Sequence, residues 1–419
     1  MEFSGKVVLI KSSQIIDIVR HSLSKIDARL VDHGERVGYI AKKIYEQCPD
    51  KSELDFSKLF VLCVLHDIGA YKTSEIDDML RFESETPFDH SLYGYLFLKN
   101  TTHLSEYAEA ILYHHTDYSV LAEINCRYSR YAEIIHLADR ADIIINSSAQ
   151  ELSSLEKMKG SKFSPQYVDA LLSAQSKHGI VEKILSGEYR TENEAVIDSL
   201  NIREDEIMDY LKLLVYAIDF RSPYTVTHTA DTAIISMELG TLLGLNSHDM
   251  QALYIGAFLH DIGKIAISHD ILDKPGRLTP EEFDIIKHHI PEGEEILRGV
   301  VSDEICDIAL RHHEKLDGSG YSKGIKGEEL TLPQRIVAVA DILSALSQER
   351  SYKSAFPKEK VISILVEMRD SGFLCKRVVD TACENYDLIL NNTAKSHDPV
   401  KTMYEKLLDE YKQHKENEA

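Results

Sequence analysis

The sequence predicts an all-α protein built as two tandem helical domains, and three observations carry that prediction. Beyond Ser12 the apolar residues recur at spacings of three and four, β-branched alternation is scarce, and one ordered set of histidines and aspartates occurs twice. At a prior of roughly 150 residues per domain, 419 residues are too many for one core. Only Lys6–Ile10 reads as strand-like.

Taken in chain order, Leu59, Leu62, Cys63 and His66 stand at offsets 0, 3, 4 and 7, one face of a helix, with Asp67 beside the stripe. A His-Asp pair is thereby aimed at a core. Met250, Leu253, Tyr254 and Ala257 form a second such stripe, and His260 and Asp261 continue it. The parallel extends along the chain: His33, His66-Asp67, His90, His114-His115 and Asp139 recur as His228, His260-Asp261, His289, His312-His313 and Asp341. The domains expected from this repeat are residues 1–185 and 206–419, with the charged segment 186–205 as a linker or connecting helix. From Lys401 the Lys/Glu-rich end reads as a solvated helix.

Composition narrows the function classes. With 43% apolar and 28% charged residues the chain belongs with soluble globular proteins, not with disordered, collagen-like or transmembrane ones. Lys and Arg number 47 against 69 Asp and Glu, and the net charge of -22 repels nucleic-acid backbones and acidic bilayers, so neither DNA nor a membrane is expected as a partner. The six cysteines (Cys48, Cys63, Cys126, Cys306, Cys375, Cys383) form no CxxC pair, which argues against a disulfide scaffold or a zinc ribbon and for a reducing cytoplasm. No secretion signal is recognisable, and the densest apolar run, Leu59 to Leu65, is far short of a membrane span.

Each repeat supplies five histidines and two aspartates. Neutral imidazoles and carboxylates suit a first-row divalent cation, and a pair of cations needs about this many ligands with one carboxylate able to bridge. Any one of these histidines is as well explained as a hydrogen-bonded core residue. Recurrence of the whole ordered set argues for ligands, the competing reading being an inherited but inactive site. Cysteine is absent from both sets, against structural zinc.

A longer pattern surrounds the second set: His260-Asp261-Ile262-Gly263-Lys264, then Ile271-Leu272-Asp273-Lys274-Pro275-Gly276-Arg277-Leu278-Thr279, Glu281-Glu282-Phe283, Lys287 and His289. It continues through His312-His313-Glu314, Asp317-Gly318-Ser319-Gly320-Tyr321, Val339-Ala340-Asp341, Arg350, Tyr352 and Lys353. On these residues the stretch from about Leu214 to Lys353 resembles an HD-GYP domain, the cyclic-dinucleotide phosphodiesterase branch of the HD superfamily. The first domain is similar to a plainer HD domain through His33, Arg36-Val37 and His66-Asp67-Ile68-Gly69.

The resemblance implies a hydrolase that opens cyclic di-GMP or 3'3'-cyclic GMP-AMP to the linear dinucleotide. It implies that Asp261 bridges two divalent ions, iron or manganese, with His228 and His260 on one side, His289, His312 and His313 on the other, and Asp341 completing the set. Such cations acidify water and neutralise phosphate. Lys264 is the implied catalytic contact to the scissile phosphate, and Lys264, Arg350 and Lys353 are the implied substrate-binding cations, local charge governing the site despite the acidic whole. His33, His66, Asp67, His90, His114, His115 and Asp139 form the corresponding first-domain set, with a further metal expected there.

Departures from the family pattern refine this. The Gly-Tyr-Pro motif reads Gly320-Tyr321-Ser322, in a loop through which the family resemblance implies contact with a diguanylate cyclase; a homodimer is compatible with the sequence. Asp231 replaces the usual Arg three residues after the first ligand, Ser344 the usual Asp three after the last, and Tyr224 a Glu that goes with a third metal. In the first domain Ala70 follows Gly69 where the family has Lys, and no Asp-Gly-x-Gly-Tyr follows His115. That domain reads as a second phosphoester hydrolase, one that trims the terminal phosphate of the linear product, as a metal-bound regulatory domain, or as a degenerate dimerisation module. For the whole chain the alternatives are a non-catalytic cyclic-dinucleotide sensor and an HD phosphohydrolase acting on mononucleotides. His103, His136, His178, His248, His269, His288 and His397 match no ligand position, and the glycines near Gly318 make no P-loop.

Overall fold

The computed structural model describes residues 10–26, 32–49, 51–72, 89–147, 151–200, 202–219, 226–272, 274, 276–348 and 355–418. Most of the strand-like Lys6–Ile10 stretch lies outside the described residues, as do Tyr224, Asp273, Pro275, Arg350, Tyr352 and Lys353. Among the described residues the regular structure is helical, with isolated bridges but no strand. The chain divides into two compact units, one formed by Lys11–Ala217 with Leu407–Ala419, the other containing Ile218–Lys406.

In the N-terminal unit the Phe56–Leu65 helix starts at Asp55, whose side chain accepts from the amides of Ser57 at 2.9 Å and Lys58 at 3.3 Å. An N-cap of this kind is worth about 1 kcal/mol. From Leu59 onward the helix is apolar on every side, and Leu59, Phe60, Leu62 and Cys63 are fully buried. A helix without a polar face belongs inside a core, and each such side chain contributes about 1.5–3 kcal/mol there. It packs on His33–Gln47, which in turn packs on Ser129–Asn146. Its C-terminal end therefore delivers His66 and Asp67 between those helices.

The C-terminal unit repeats the plan. Ser247–Leu259 is capped by Asn246, which accepts from Asp249 at 3.0 Å, and ends at His260. It packs on His228–Leu242, which also packs on Leu332–Ser347, the helix that carries Asp341. That last helix opens with a capping box of Thr331 and Gln334.

The glycine of each His-Asp-Ile-Gly run has a steric reason. A Cβ on Gly263 would lie 1.9 Å from the His289 carbonyl oxygen and 2.5 Å from the Gly293 amide nitrogen. On Gly69 it would lie at the same two distances from His90 and Gly94. The short turns Ile262–Ala266 and Ile68–Lys72 thus press backbone to backbone on the helices His289–Leu297 and Asp89–Thr101. Only glycine permits this approach, and it fixes the distance between the His-Asp pair and the next histidine.

The segment between the two repeats forms the helix Tyr189–Ser199, which packs on His33–Gln47. Asn193 donates to the Glu35 carbonyl at 2.8 Å, and Glu192 accepts from Lys43, Lys183 and Lys42 at 2.6, 2.7 and 3.1 Å. The C-terminal end is helical within Tyr386–Glu418, but the expectation of a merely solvated helix is corrected. Leu407 is buried, Tyr411 stacks on Tyr93 with ring centres 4.4 Å apart, and Glu410 accepts from Lys99 at 3.0 Å. Period-3.6 apolar residues among the charges supply that packed face.

Candidate metal centre

In the C-terminal unit the two oxygens of Asp261 face different histidines. Oδ2 lies 3.2 Å from His260 Nε2 and 3.7 Å from His228 Nε2, whereas Oδ1 lies 3.6 Å from His289 Nε2 and 4.0 Å from His312 Nε2. Asp341 closes the ring, with Oδ1 3.1 Å from His228 Nε2 and Oδ2 3.9 Å from His313 Nδ1. The N-terminal unit reproduces this split. Asp67 Oδ2 is 3.3 Å from His66 Nε2 and 3.7 Å from His33 Nε2, and its Oδ1 is 3.6 Å from His90 Nε2 and 3.9 Å from His114 Nε2. Asp139 Oδ1 is 3.3 Å from His33 Nε2. All fourteen residues predicted as ligands therefore lie in two clusters, one per unit, as the repeat requires.

Backbone carbonyls set which ring nitrogen faces inward. His260 Nδ1 donates to the Ala257 carbonyl at 2.7 Å, His289 Nδ1 to Ile286 at 2.6 Å and His312 Nδ1 to Ala309 at 2.6 Å. His66 and His114 do the same with Cys63 at 2.7 Å and Ile111 at 2.6 Å. With the proton on Nδ1, the Nε2 lone pair points at the aspartate, the usual orientation of a metal-ligating histidine. His66 Nε2, His114 Nε2 and His260 Nε2 are buried without a hydrogen-bond partner among the described residues. Buried acceptors left this way are costly unless an ion or water meets them, so the donor set fits a divalent cation in both units.

The electrostatics agree. Burial raises the Asp261 carboxyl pKa, but His260, Lys264 and His289 outweigh burial and hold it well below the ordinary carboxylate range. Asp341 is held down against burial by His228 and His313. Burial pushes His312 well below the usual imidazole value, with His313 and His260 adding to it, and takes His313 to about 4. Neutral His312 and His313 beside ionised Asp261 and Asp341 are in the form that binds metal, whereas the pKa of His260, which burial acts to lower, is raised overall by the Asp261 carboxylate.

Lys264 sits on the turn after His260-Asp261, with Nζ 2.5 Å from Asp261 Oδ2. Tyr321 of the Gly320-Tyr321-Ser322 loop packs its ring 4.6 Å from that of His313 and also meets Phe283. Buried Glu314 braces this loop by accepting from the amides of Lys323 at 2.7 Å and Ile325 at 3.0 Å. The predicted substrate cations Arg350 and Lys353 fall outside the described residues.

Sequence reasoning passed over several residues that complete the centres. Asp142, one turn beyond Asp139, accepts from His33 Nδ1 at 2.7 Å and from Arg36 at 2.7 and 2.9 Å. Burial alone would lower the pKa of His33, but its bonds to Asp139 and Asp142 raise it to about 10. The same place in the C-terminal unit is held by Ser344, whose Oγ is 3.1 Å from His228 Nδ1, and Gln348 donates to Asp231. A cavity of about 700 Å³ opens there, bordered by Asp231, Ser344 and Gln348. The spacing of Arg36 and Asp142 from His33 and Asp139 was the available signal. Arg140, buried against His115, and Asp219, pushed to about 7 by burial, gave none.

The HD domain family matches this chain twice, at residues 30–144 and 212–374. The 3'3'-cGAMP-specific phosphodiesterase 1 of Vibrio cholerae serotype O1 is 30% identical over 392 residues, 88% of this chain and 90% of that protein. The 3'3'-cGAMP-specific phosphodiesterase 3 of the same organism is 39% identical over 163 residues, 38% of this chain and 35% of the relative. Cyclic di-GMP phosphodiesterase response regulator RpfG of Xanthomonas campestris pv. campestris is 36% identical over 202 residues, 48% and 52% of the two chains. Among solved structures, a cyclic GMP-AMP specific phosphodiesterase of V. cholerae shares the fold with a TM-score of 0.56 at 21% identity, covering 90% of this chain and 97% of that one.

Proposed function

This chain belongs to the HD-domain family of cyclic-dinucleotide phosphodiesterases, and we propose that its C-terminal unit hydrolyses 3'3'-cyclic GMP-AMP to the linear dinucleotide. The observation that carries the chemistry is one buried carboxylate, Asp261, shared between two histidine pairs with the Lys264 ammonium at its edge. The choice of substrate is supported by a relative that aligns through both units and whose name carries that nucleotide. Cyclic di-GMP is the second reading, supported by relatives such as RpfG that match about half of the chain.

On this reading two divalent ions, iron or manganese, are held by His228, His260, Asp261, His289, His312, His313 and Asp341. The set His33, His66, Asp67, His90, His114, His115 and Asp139 holds further metal in the N-terminal unit. Bound divalent cations supply Lewis acidity, acidifying water and neutralising phosphoryl oxygens. The residues of the chain orient and balance. Carbonyl-anchored Nδ1 atoms hold each Nε2 toward Asp261, so the ligand geometry costs no reorganisation when substrate arrives. Lys264 exchanges its contact with Asp261 for the phosphoryl oxygens and stabilises the charge that grows there in the transition state. Arg350 and Lys353 add local positive charge to a chain whose net charge is -22. Tyr321 offers an aromatic wall beside His313 against which a base can stack. The protein acts in the cytoplasm, meets a diguanylate cyclase through the Gly320-Tyr321-Ser322 loop, and is able to work as a homodimer. Lys11–Ala217 with Leu407–Ala419 serve as its regulatory unit, the segment 186–205 included, and Ile218–Lys406 as its catalytic unit.

The test is product chromatography after incubating Mn²⁺-loaded protein separately with 3'3'-cyclic GMP-AMP and cyclic di-GMP, beside an Asp261→Ala control. Faster linearisation of the mixed nucleotide, absent in the control, is the expected result. Turnover of neither nucleotide with Mn²⁺ bound would overturn the reading in favour of a sensor or a mononucleotide hydrolase.

A further inference from the structure

The helix Pro280–Lys287 has no buried residue, yet it is held at both ends. Thr279 and Glu282 form a capping box at its start, and Glu282 also accepts from Lys274 at 2.6 and 2.7 Å. At its far end only His288 separates it from the helix that opens with His289, on which it packs. Its side chains are thus free of the core and fixed beside the centre. Phe283 is 44% exposed, so a large flat apolar surface is available to a ligand.

Three side chains of this helix converge on the Gly320-Tyr321-Ser322 loop. The rings of Phe283 and Tyr321 stand 6.3 Å apart at 84°, and Tyr321 in turn lies against His313. Two nearly perpendicular rings make a corner in which a flat base can lie on one ring and meet the edge of the other. Lys287, one turn on from Phe283, holds its Nζ 4.8 Å from the centre of the Phe283 ring and 5.9 Å from that of Tyr321. The same ammonium donates to Asp284 Oδ1 at 2.7 Å. A group with only donors and a group with only acceptors therefore stand side by side at the rim of the aromatic corner.

That pair has a chemical complement. Guanine carries an acceptor, O6, next to a donor, N1–H, whereas adenine carries a donor, the N6 amino group, next to an acceptor, N1. An adjacent ammonium and carboxylate match the first edge and oppose the second. We propose that Phe283, Asp284 and Lys287 form a guanine-reading subsite of the C-terminal unit, in which the base stacks in the corner, Lys287 donates to O6 and Asp284 accepts from N1–H. This rests on the reading of that unit as the one that takes a cyclic dinucleotide. One guanine satisfies the subsite, so 3'3'-cyclic GMP-AMP and cyclic di-GMP both fit it and cyclic di-AMP does not. The three residues determine specificity by binding the base, away from the reacting phosphate.

The experiment compares 3'3'-cyclic GMP-AMP, cyclic di-GMP and cyclic di-AMP on the Mn²⁺-loaded full chain and on Lys287→Met, Asp284→Ala and Phe283→Ala. All three nucleotides carry the same phosphates, so cyclic di-AMP controls for a general loss of positive charge. Where cyclic di-AMP is not turned over, its inhibition constant against cyclic di-GMP takes the place of KM. Lys287→Met and Asp284→Ala should each raise KM for the two guanine nucleotides by about 10-fold or more, with kcat within about twofold and cyclic di-AMP affected less than about twofold. Phe283→Ala should raise KM by about 10-fold for all three, because stacking does not distinguish bases. None of these changes touches the core, and circular dichroism checks the fold. An unchanged KM in Lys287→Met, or equal losses for all three nucleotides there, overturns the proposal and leaves the phosphodiesterase reading standing. If wild type binds the nucleotides without turning them over, the phosphodiesterase reading fails, and the same ratios read as Kd by calorimetry support or overturn the subsite. Binding of none of them overturns both.

Discussion

Gly263→Ala tests whether backbone contact sets the metal geometry. The new Cβ would lie 1.9 Å from the His289 carbonyl oxygen, 2.5 Å from the Gly293 nitrogen and 2.8 Å from the His289 carbonyl carbon. All three neighbours are backbone, so no side chain can rotate away. To restore an ordinary 3.4 Å contact, the turn Ile262–Ala266 and the helix His289–Leu297 must separate by about 1.5 Å. Metal–ligand distances tolerate about 0.2 Å, and a misplacement of about 1 Å at a reacting centre costs roughly 10²-fold in rate. His289 moves with its helix because it is that helix's first residue. We expect kcat for the cyclic dinucleotide to fall by about 10²-fold or more, Mn²⁺ content of the C-terminal unit to drop, and stability to fall by about 2–4 kcal/mol. The control is Gly299→Ala, where a Cβ meets nothing within 4 Å and the positive φ of 79° is the sole strain. That change should cost about 1 kcal/mol and leave kcat unchanged. The assays are steady-state linearisation of the nucleotide, elemental analysis and urea denaturation. Wild-type turnover and metal content in Gly263→Ala would refute the reasoning.

Asp261→Ala removes the one carboxylate that faces both histidine pairs and should lower turnover by at least about 10³-fold with loss of Mn²⁺; retained metal would show that the histidines suffice. Lys264→Ala should lower kcat by about 10²–10³-fold with Mn²⁺ content unchanged, and an unaltered kcat would place the ammonium outside the chemistry. Glu192 yields a pH prediction: burial raises its pKa, but hydrogen bonds from Lys183, Lys43 and Lys42 overcome this and hold it at about 2, below its ordinary 4.5. A depressed carboxylate contributes its full stability above 4.5 and loses it as pH falls toward 2. Glu192→Gln should therefore cost about 1–2 kcal/mol at pH 7, after discount for its partial exposure, with a gap to wild type that shrinks below pH 4.5 in urea melts. A gap independent of pH would contradict the ion-pair account. Tyr411→Ala removes the stack on Tyr93 and should destabilise the N-terminal unit by about 1–2 kcal/mol, whereas no change would return the C-terminal end to the solvent.

Much of the molecule was legible in the residues alone because its signals are local or repeated. The stripes ending at His66 and His260 lie within one helix each, so a 3.6-residue period suffices to predict them. The ordered ligand set was visible because duplication copies order as well as residue type. What remained hidden depends on residues far apart in sequence. Asp142 reaches His33 across 109 positions, and Glu192 reaches Lys43 across 149. No periodicity reports such pairs, and a charged segment such as Glu188 to Asp205 reads the same whether it links domains or packs on one. The C-terminal end misled for a related reason, since Leu407 and Tyr411 are few among many charges and acquire meaning only against Tyr93. Sequence thus determined the helical class, the duplication and the candidate ligands. The tertiary structure decided how one carboxylate divides its two oxygens, which nitrogen each histidine presents, and where Arg140 places its charge. Those are questions of distance and direction at a few ångströms, and they are answered only when helices from distant parts of the chain are packed together.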